Sequence, residues 1–549
     1  MNKFLSLLIL SASILSANAQ TAPVAQPYGK VDQADLEMKT CDFEKDANAE
    51  VLIDKGNLYY GPMLLSITEE VHKRIKIFND KGTGAADVHI EYYSGNQLEY
   101  ITGLQAETIN LVDGKVEIVK LDKKSFFTKL LDKDRSEITF TFPNVKPGCI
   151  VEYKYNFNSN IYYEIPDWYF QEKIPVRYSE LTTSIPDVFY FRQHSYFLQP
   201  LSKKLNATDT RSMLIDGEAY SYDLENNTWG MSNIPSLPDE PYMSSAKDNL
   251  QCQRFQLVSV KPIGGFNKSF SDTWAKVGGL LIDDDDFGGQ LKRKVNNEDV
   301  IINKAKSLKT DDDKIAYVFN EVKNAMKWNG IDRWYTSDGT YRAWENKTGN
   351  STEINLILYH LLKQSGLEAY PMVVSTRSHG KVAPLYTSRS QFNRTVVYIP
   401  VDSTRNYILD ATGKYNQYNE TPEELLNSSG LYVDKSKSLY DIIYLKNNIP
   451  ASQVVFINAE VKAGGKLEGT AQVSSTSYNR IDAKERYKTD GEKKYTDYLS
   501  NNDNNLKISS LTFENMDVDT LPLMQKIAFS QDLAGSDENY IYLNPNLFS

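Results

Sequence analysis

The chain is poor in the residues from which most metal and nucleophilic sites are built. Of its 549 residues only three are cysteine and five are histidine. Cys41, Cys149 and Cys252 lie far apart with no CxxC spacing, and an odd count leaves at least one thiol unpaired, so this is not a disulfide scaffold. His72, His89, His194, His360 and His379 are scattered and form no cluster of the kind a zinc site draws on. No metal or cofactor is expected. Basic residues are not in excess either, with 61 Lys and Arg against 72 Asp and Glu and a net charge of -11. That balance argues against nucleic acid, whose phosphates need a basic surface. No apolar run reaches 18 residues, so no integral membrane segment is expected.

What is present begins with a leader. Lys3 is a minimal positive region, residues 4–15 are a short apolar stretch broken by serines, and Ala17-Asn18-Ala19 has the small-x-small form of a cleavage site. A signal peptide over residues 1–19, cut after Ala19, implies a periplasmic or secreted protein.

Composition and periodicity divide the remainder into three domains. Residues 20–255 carry strand signals such as "ADVHIEYYS", "SEITFTFPNV" and "CIVEYKYNFN", bounded by Pro, Gly and Asn turns, which predict an all-β, sandwich-like domain. Residues 256–435 change character. Thr310 or Asp311 can cap a helix whose apolar stripe is Ile315, Val318, Phe319 and Val322. Asn350 and Glu353 have capping-box spacing ahead of a second stripe, Ile354, Ile357, Leu358, Leu361 and Leu362, which Gly366 ends. The strands "YPMVVS", "FNRTVVYI" and "NYILDAT" follow, the last two as a hairpin, which is an α+β arrangement. Residues 436–549 return to β, with a hairpin turning at Gly464-Gly465, a lysine-rich helix near 479–500 and further strands; this last domain ends short, where more strands would be expected. The acidic run Asp283 to Asp286 lacks the ligand spacing of a calcium loop and reads as a solvated segment.

The second helix starts with "GNS", a junction suited to presenting a nucleophile, because the helix N-terminus favours a developing negative charge. "MKWNG", "KTGNSTEINLIL" and "YILDAT" resemble the core of the transglutaminase-like (papain-related) superfamily. "YKYNFNS", "PDWYFQEKIPVRYSELTTSIPD" and "TWGMSNIPSLPDEPYM" resemble DUF3857, the β-rich domain that often precedes it in exported proteins of Bacteroidetes-type bacteria. "VKAGGKLEGTAQ" resembles the β domain that closes such proteins. The resemblance implies Cys at the helix start, His on the next hairpin and Asp on the strand after it. Here the cysteine seat falls on Ser351, the histidine on Asn393 or Arg394, and the aspartate on Asp410.

Serine without a base is a poor nucleophile, and arginine stays protonated and cannot serve as one. His360 lies nine residues along the same helix, on its opposite face. His379, in the "STRSHGKV" loop, is the one candidate rescue base. Trp328, Trp334 and Trp344, all shortly before Ser351, either line a groove or pack the helix on the sheet. The leading expectation is a catalytically degenerate protein that binds or braces peptide, protein or glycan in the cell envelope. An active protease, amidase or transglutaminase using Ser351 is the alternative enzyme reading. Strand addition to an envelope partner is a third.

Overall fold

The computed structural model describes residues 26–548 apart from 216, 239, 241–242, 263–264, 270–272, 403–404, 435, 438, 448–449, 502, 519 and 534–539. The expected signal peptide lies outside the described residues. The chain is β-rich and divides into two units.

The first unit is built on an eight-stranded sheet. Its order is Lys203–Ile215, Glu218–Ile234, Val176–Pro186, Ala49–Tyr60, Ile67–Ile77, Ile150–Ser159, Glu99–Val112 and Lys115–Lys120. Neighbours are antiparallel except Ala49–Tyr60 beside Val176–Pro186. A sheet of Asp87–Tyr93, Arg135–Thr141 and Phe127–Leu130 supplies Val88, Ile90, Ile138 and Phe140 to the same core as Val51, Leu58 and Val151 of the large sheet. Phe189 and Phe255 enter that core from a further sheet containing Phe189–Tyr196 and Cys252–Val260. This is the sandwich-like layering expected when strands alternate apolar and polar residues. Gly56 is required where the layers meet, since a Cβ there would lie 2.5 Å from the Trp168 ring. All three cysteines are buried free thiols.

A boundary at residue 255 would cut the strand Cys252–Val260, which pairs throughout with Phe189–Tyr196. The division falls instead after the short strand Lys268–Ser269. The alternating "QCQRFQLVSV" carries no linker composition, and only its pairing assigns it to the first unit.

The second unit opens with helices Trp274–Asp283, Glu298–Lys306, Asp311–Ala325, Thr340–Asn346 and Ser351–Gln364. Thr310 caps Asp311–Ala325 by accepting the Asp313 N–H, and Ile315, Val318, Phe319 and Val322 are its buried stripe, as the spacing predicts. An antiparallel sheet follows in the order Asn406–Leu409, Arg394–Pro400, Tyr370–Val374, Ser429–Asp434, Leu439–Tyr444. The last of these strands corrects the predicted start of a C-terminal domain at residue 436, because Leu439–Tyr444 completes the central sheet. The C-terminal layer is a four-stranded sheet of Gln453–Lys462, Lys466–Ser475, Leu523–Asp532 and Leu506–Glu514, with the helix Ser477–Leu499 between its second and third segments in sequence. Gly464 and Gly465 both take positive φ in its first turn, where a side chain would be strained. Among the described residues no helix is long and apolar enough to cross a membrane.

Candidate functional site

The helix Ser351–Gln364 is fixed from its first turn. Asn350 accepts the Glu353 N–H at 2.9 Å while the Glu353 carboxylate accepts the Asn350 N–H at 2.8 Å, a complete capping box. The other Glu353 oxygen receives the Asp338 and Gly339 N–H groups at 2.6 and 3.1 Å. Burial pushes the Glu353 carboxyl above its ordinary pKa. Ile354, Ile357, Leu358, Leu361 and Leu362 are all fully buried.

Ser351 is therefore held at the N-terminus of a well-anchored helix, but it is sealed. The residue is 0 % exposed, and among the described residues its hydroxyl has no hydrogen-bond partner. Its N–H donates to the Ile331 carbonyl at 3.1 Å. The Trp328 indole N–H donates to that same oxygen at 3.0 Å. Two converging donors are the arrangement that holds an oxyanion, and here the chain's own carbonyl uses both.

Arg394 begins the neighbouring strand. The ladder pairs Val397 with Leu409, and continuing that register puts Asp410 opposite Val396, on the same sheet face as Arg394. The long guanidinium spans the remaining diagonal, and Nη1 donates to Asp410 Oδ2 at 2.8 Å. Nε and Nη2 donate to the two oxygens of Asp332, each at 2.8 Å, in a bidentate fork. Nη1 also contacts Glu424, and the guanidinium lies 5.2 Å from the Trp328 ring. Burial works to lower the Arg394 pKa, but Asp410, Asp332 and Glu424 outweigh it and hold the value above that of an ordinary arginine. The other Asp410 oxygen accepts from Asn355 Nδ2 at 2.8 Å and from the Thr412 hydroxyl at 2.7 Å.

The structure thus brings Arg394 and Asp410 together and leaves Ser351 outside their hydrogen bonding. Asn393, the other position considered for the base, pairs with Thr376 through both ends of its amide, at 2.9 Å each. His379 is half-buried, with Nδ1 2.9 Å from the Ser375 hydroxyl, and makes no hydrogen bond to Ser351. His360 sits on the far side of the helix beside Glu298, at 3.0 Å. Of the tryptophans, Trp344 is a correction to the groove expectation. It is buried in the helical core, and its indole donates to the Asn296 carbonyl at 2.9 Å. Trp328 and Trp334 are half-buried, and Arg389 lies over the Trp334 ring at 4.4 Å. Among the described residues no group of three or more His, Cys, Asp or Glu is placed to hold a metal ion.

Asp332, Glu424, Asn355 and the Ile331 carbonyl are the parts of this site that sequence reasoning missed. Asn355 alone left a signal, as an amide set between Ile354 and Leu356 in the apolar stretch of the helix.

The family model of the domain of unknown function DUF3857, for which a structure has been solved, matches residues 65–235. The match lies within the first unit and inside the span 20–255 expected for this domain. No curated protein matches the chain. Among solved structures, a crystal structure described as "a putative protease from Parabacteroides distasonis" is similar, with a TM-score of 0.47 and 12% identity, over 88% of this chain and 93% of that one.

Proposed function

We propose that this is an exported, transglutaminase-like protein that has lost catalysis and serves as a binding or structural module for peptide or glycan in the cell envelope. The observation that carries the reading is the double use of the Ile331 carbonyl by the Ser351 N–H and the Trp328 indole, above a serine with no solvent exposure. Acyl transfer needs a nucleophile with a base beside it and donors open to the substrate's oxygen. Ser351 has neither. An arginine held above its ordinary pKa stands where the resemblance places the base, and it cannot take a proton from serine. The network it makes with Asp332, Asp410 and Glu424 ties the hairpin to two loops, which supports a bracing role for the former catalytic positions.

The test is exposure of the purified protein to a fluorophosphonate probe beside a Ser351→Ala control. Both should remain unlabelled. Labelling of the wild type that the control loses would establish an activated serine and overturn the reading. Export is tested separately by sequencing the N-terminus of protein recovered from outside the cytoplasm, which should begin at Gln20.

A further inference from the structure

The layers of the first unit close on apolar side chains along most of their length, but at one end they present polar groups to each other. In the hairpin of Lys203–Ile215 and Glu218–Ile234, Lys204 lies opposite Trp229 and Asn206 opposite Asn227, with Glu225 two residues further along the same face. Trp229 belongs to the buried core, so this face is the inward one. On the strand Phe189–Tyr196, Gln193 lies opposite Phe255, which is also a core residue and meets Trp229 edge-on with ring centroids 6.0 Å apart. Gln193 and Ser195 therefore continue the inward face of the second sheet. Inward strand positions are normally apolar. Gln193, Lys204, Asn206 and Glu225 are exposed, so at this end the polar run borders solvent rather than core and opens a cleft.

These side chains line a cleft of about 550 Å³, with Trp229 and Phe197 as its apolar surfaces. That volume lies within the range of small-ligand sites. We propose that the cleft binds a neutral polyhydroxylated ligand, a short oligosaccharide.

The chemistry of the lining selects this class. Asn206 Nδ2 donates to Asn227 Oδ1 at 2.7 Å, which leaves the Asn206 oxygen as an acceptor beside the Asn227 amide as a donor. Adjacent hydroxyls on a sugar ring offer the matching donor and acceptor. The side chain of Gln193 makes no hydrogen bond to any described residue and offers a second amide from the facing sheet. Ser195 already donates to Gln253 Oε1 at 2.6 Å, so it is oriented to accept. Lys204 and Glu225 contribute one charge of each sign, and the lining does not favour an anion or a cation. The half-buried Phe197 ring can meet the C–H face of a sugar, while Trp229, 5 % exposed, forms the floor of the cleft. The cleft is bordered by two edge strands, Lys203–Ile215 and Phe189–Tyr196, so strand addition by a peptide is the competing mode, and the peptide arm of the test addresses it.

The test titrates the purified protein with neutral hexasaccharides built from glucose, mannose, galactose and N-acetylglucosamine, read by saturation-transfer NMR. Asn206→Ala/Asn227→Ala and Gln193→Ala are run beside it, together with a set of extended peptides. None of these three positions is buried, so an unchanged thermal transition confirms that each variant is folded. At least one sugar should bind, and the double variant should weaken it by roughly tenfold or more. No transfer from any sugar, or transfer that both variants leave unchanged, overturns the proposal. Peptide binding that the variants abolish, without sugar binding, overturns it in favour of a peptide site.

Discussion

Arg394 and Asp410 form an ion pair at 2.8 Å with side chains 2 % and 0 % exposed. They stand at the positions where the resemblance to transglutaminase-like enzymes places the base and its orienting acid. The pairing keeps the buried Asp410 carboxylate satisfied. An orienting carboxylate left without a cationic or hydrogen-bonding partner would be costly to bury, and arginine supplies the charge that holds it. Asp332 and Glu424 then gather around the same guanidinium. One side chain joins a strand start, a strand end and two loops.

Removing that side chain should be expensive. Arg394→Met leaves buried Asp410 without its cation, and loss of one partner of a buried pair costs about 3–5 kcal/mol. Arg394→Lys should recover only part of the loss, because an ammonium cannot make the bidentate fork to Asp332. Urea unfolding of the two variants beside the wild type gives the order. Arg394→Met as stable as the wild type would show that the network contributes no net stability.

A cysteine placed at the nucleophile seat should stay unreactive. Ser351 is fully buried, and Cys41, Cys149 and Cys252 are buried as well. In Ser351→Cys, iodoacetamide under native conditions should therefore modify none of the four thiols, and all four after denaturation. Mass spectrometry counts them. Rapid native alkylation at position 351 would mean that the seat opens to solvent and that its donors are available.

The parts of this site that sequence revealed are the local ones. The capping box of Asn350 and Glu353 and the stripe from Ile354 to Leu362 are set by spacing within a single helix, so they could be read directly. Asp332 and Glu424 lie in "NGIDRW" and "TPEELL", loops without periodicity, and only the tertiary fold brings them to Arg394. The same limit applied to domain edges. Leu439–Tyr444 and Cys252–Val260 look like any other strand, and their pairing partners decide which layer they join. Trp344 could not be assigned because tryptophan serves both grooves and cores.

The tryptophans should separate by stability. Trp344→Ala removes a ring from the helical core and an indole hydrogen bond to Asn296, which should cost about 3–5 kcal/mol. Trp334 is half-buried, so Trp334→Ala should cost clearly less. Thermal unfolding ranks the two, and equal losses would place Trp334 in the core as well.

The first unit should carry a pH dependence of its own. Burial, helped by the neighbouring Asp54 carboxylate, pushes the Glu69 carboxyl up from 4.5 to about 8. Burial is also the main cause raising Asp54, to about 7, against the pull of Lys73. A carboxyl whose pKa is higher in the folded chain binds its proton more tightly there than in the unfolded chain. Its contribution to stability is complete below the unfolded value and is lost as pH rises through the folded one. Glu69→Gln replaces the protonated acid with a neutral group of similar shape. Near pH 4 the variant and the wild type should unfold alike. As pH climbs from 4.5 to about 8, the variant should gain on the wild type by up to about 1.4 kcal/mol per pH unit. Chemical unfolding at several pH values measures this difference directly, and a constant difference across the range would show that Glu69 titrates as an ordinary surface carboxylate.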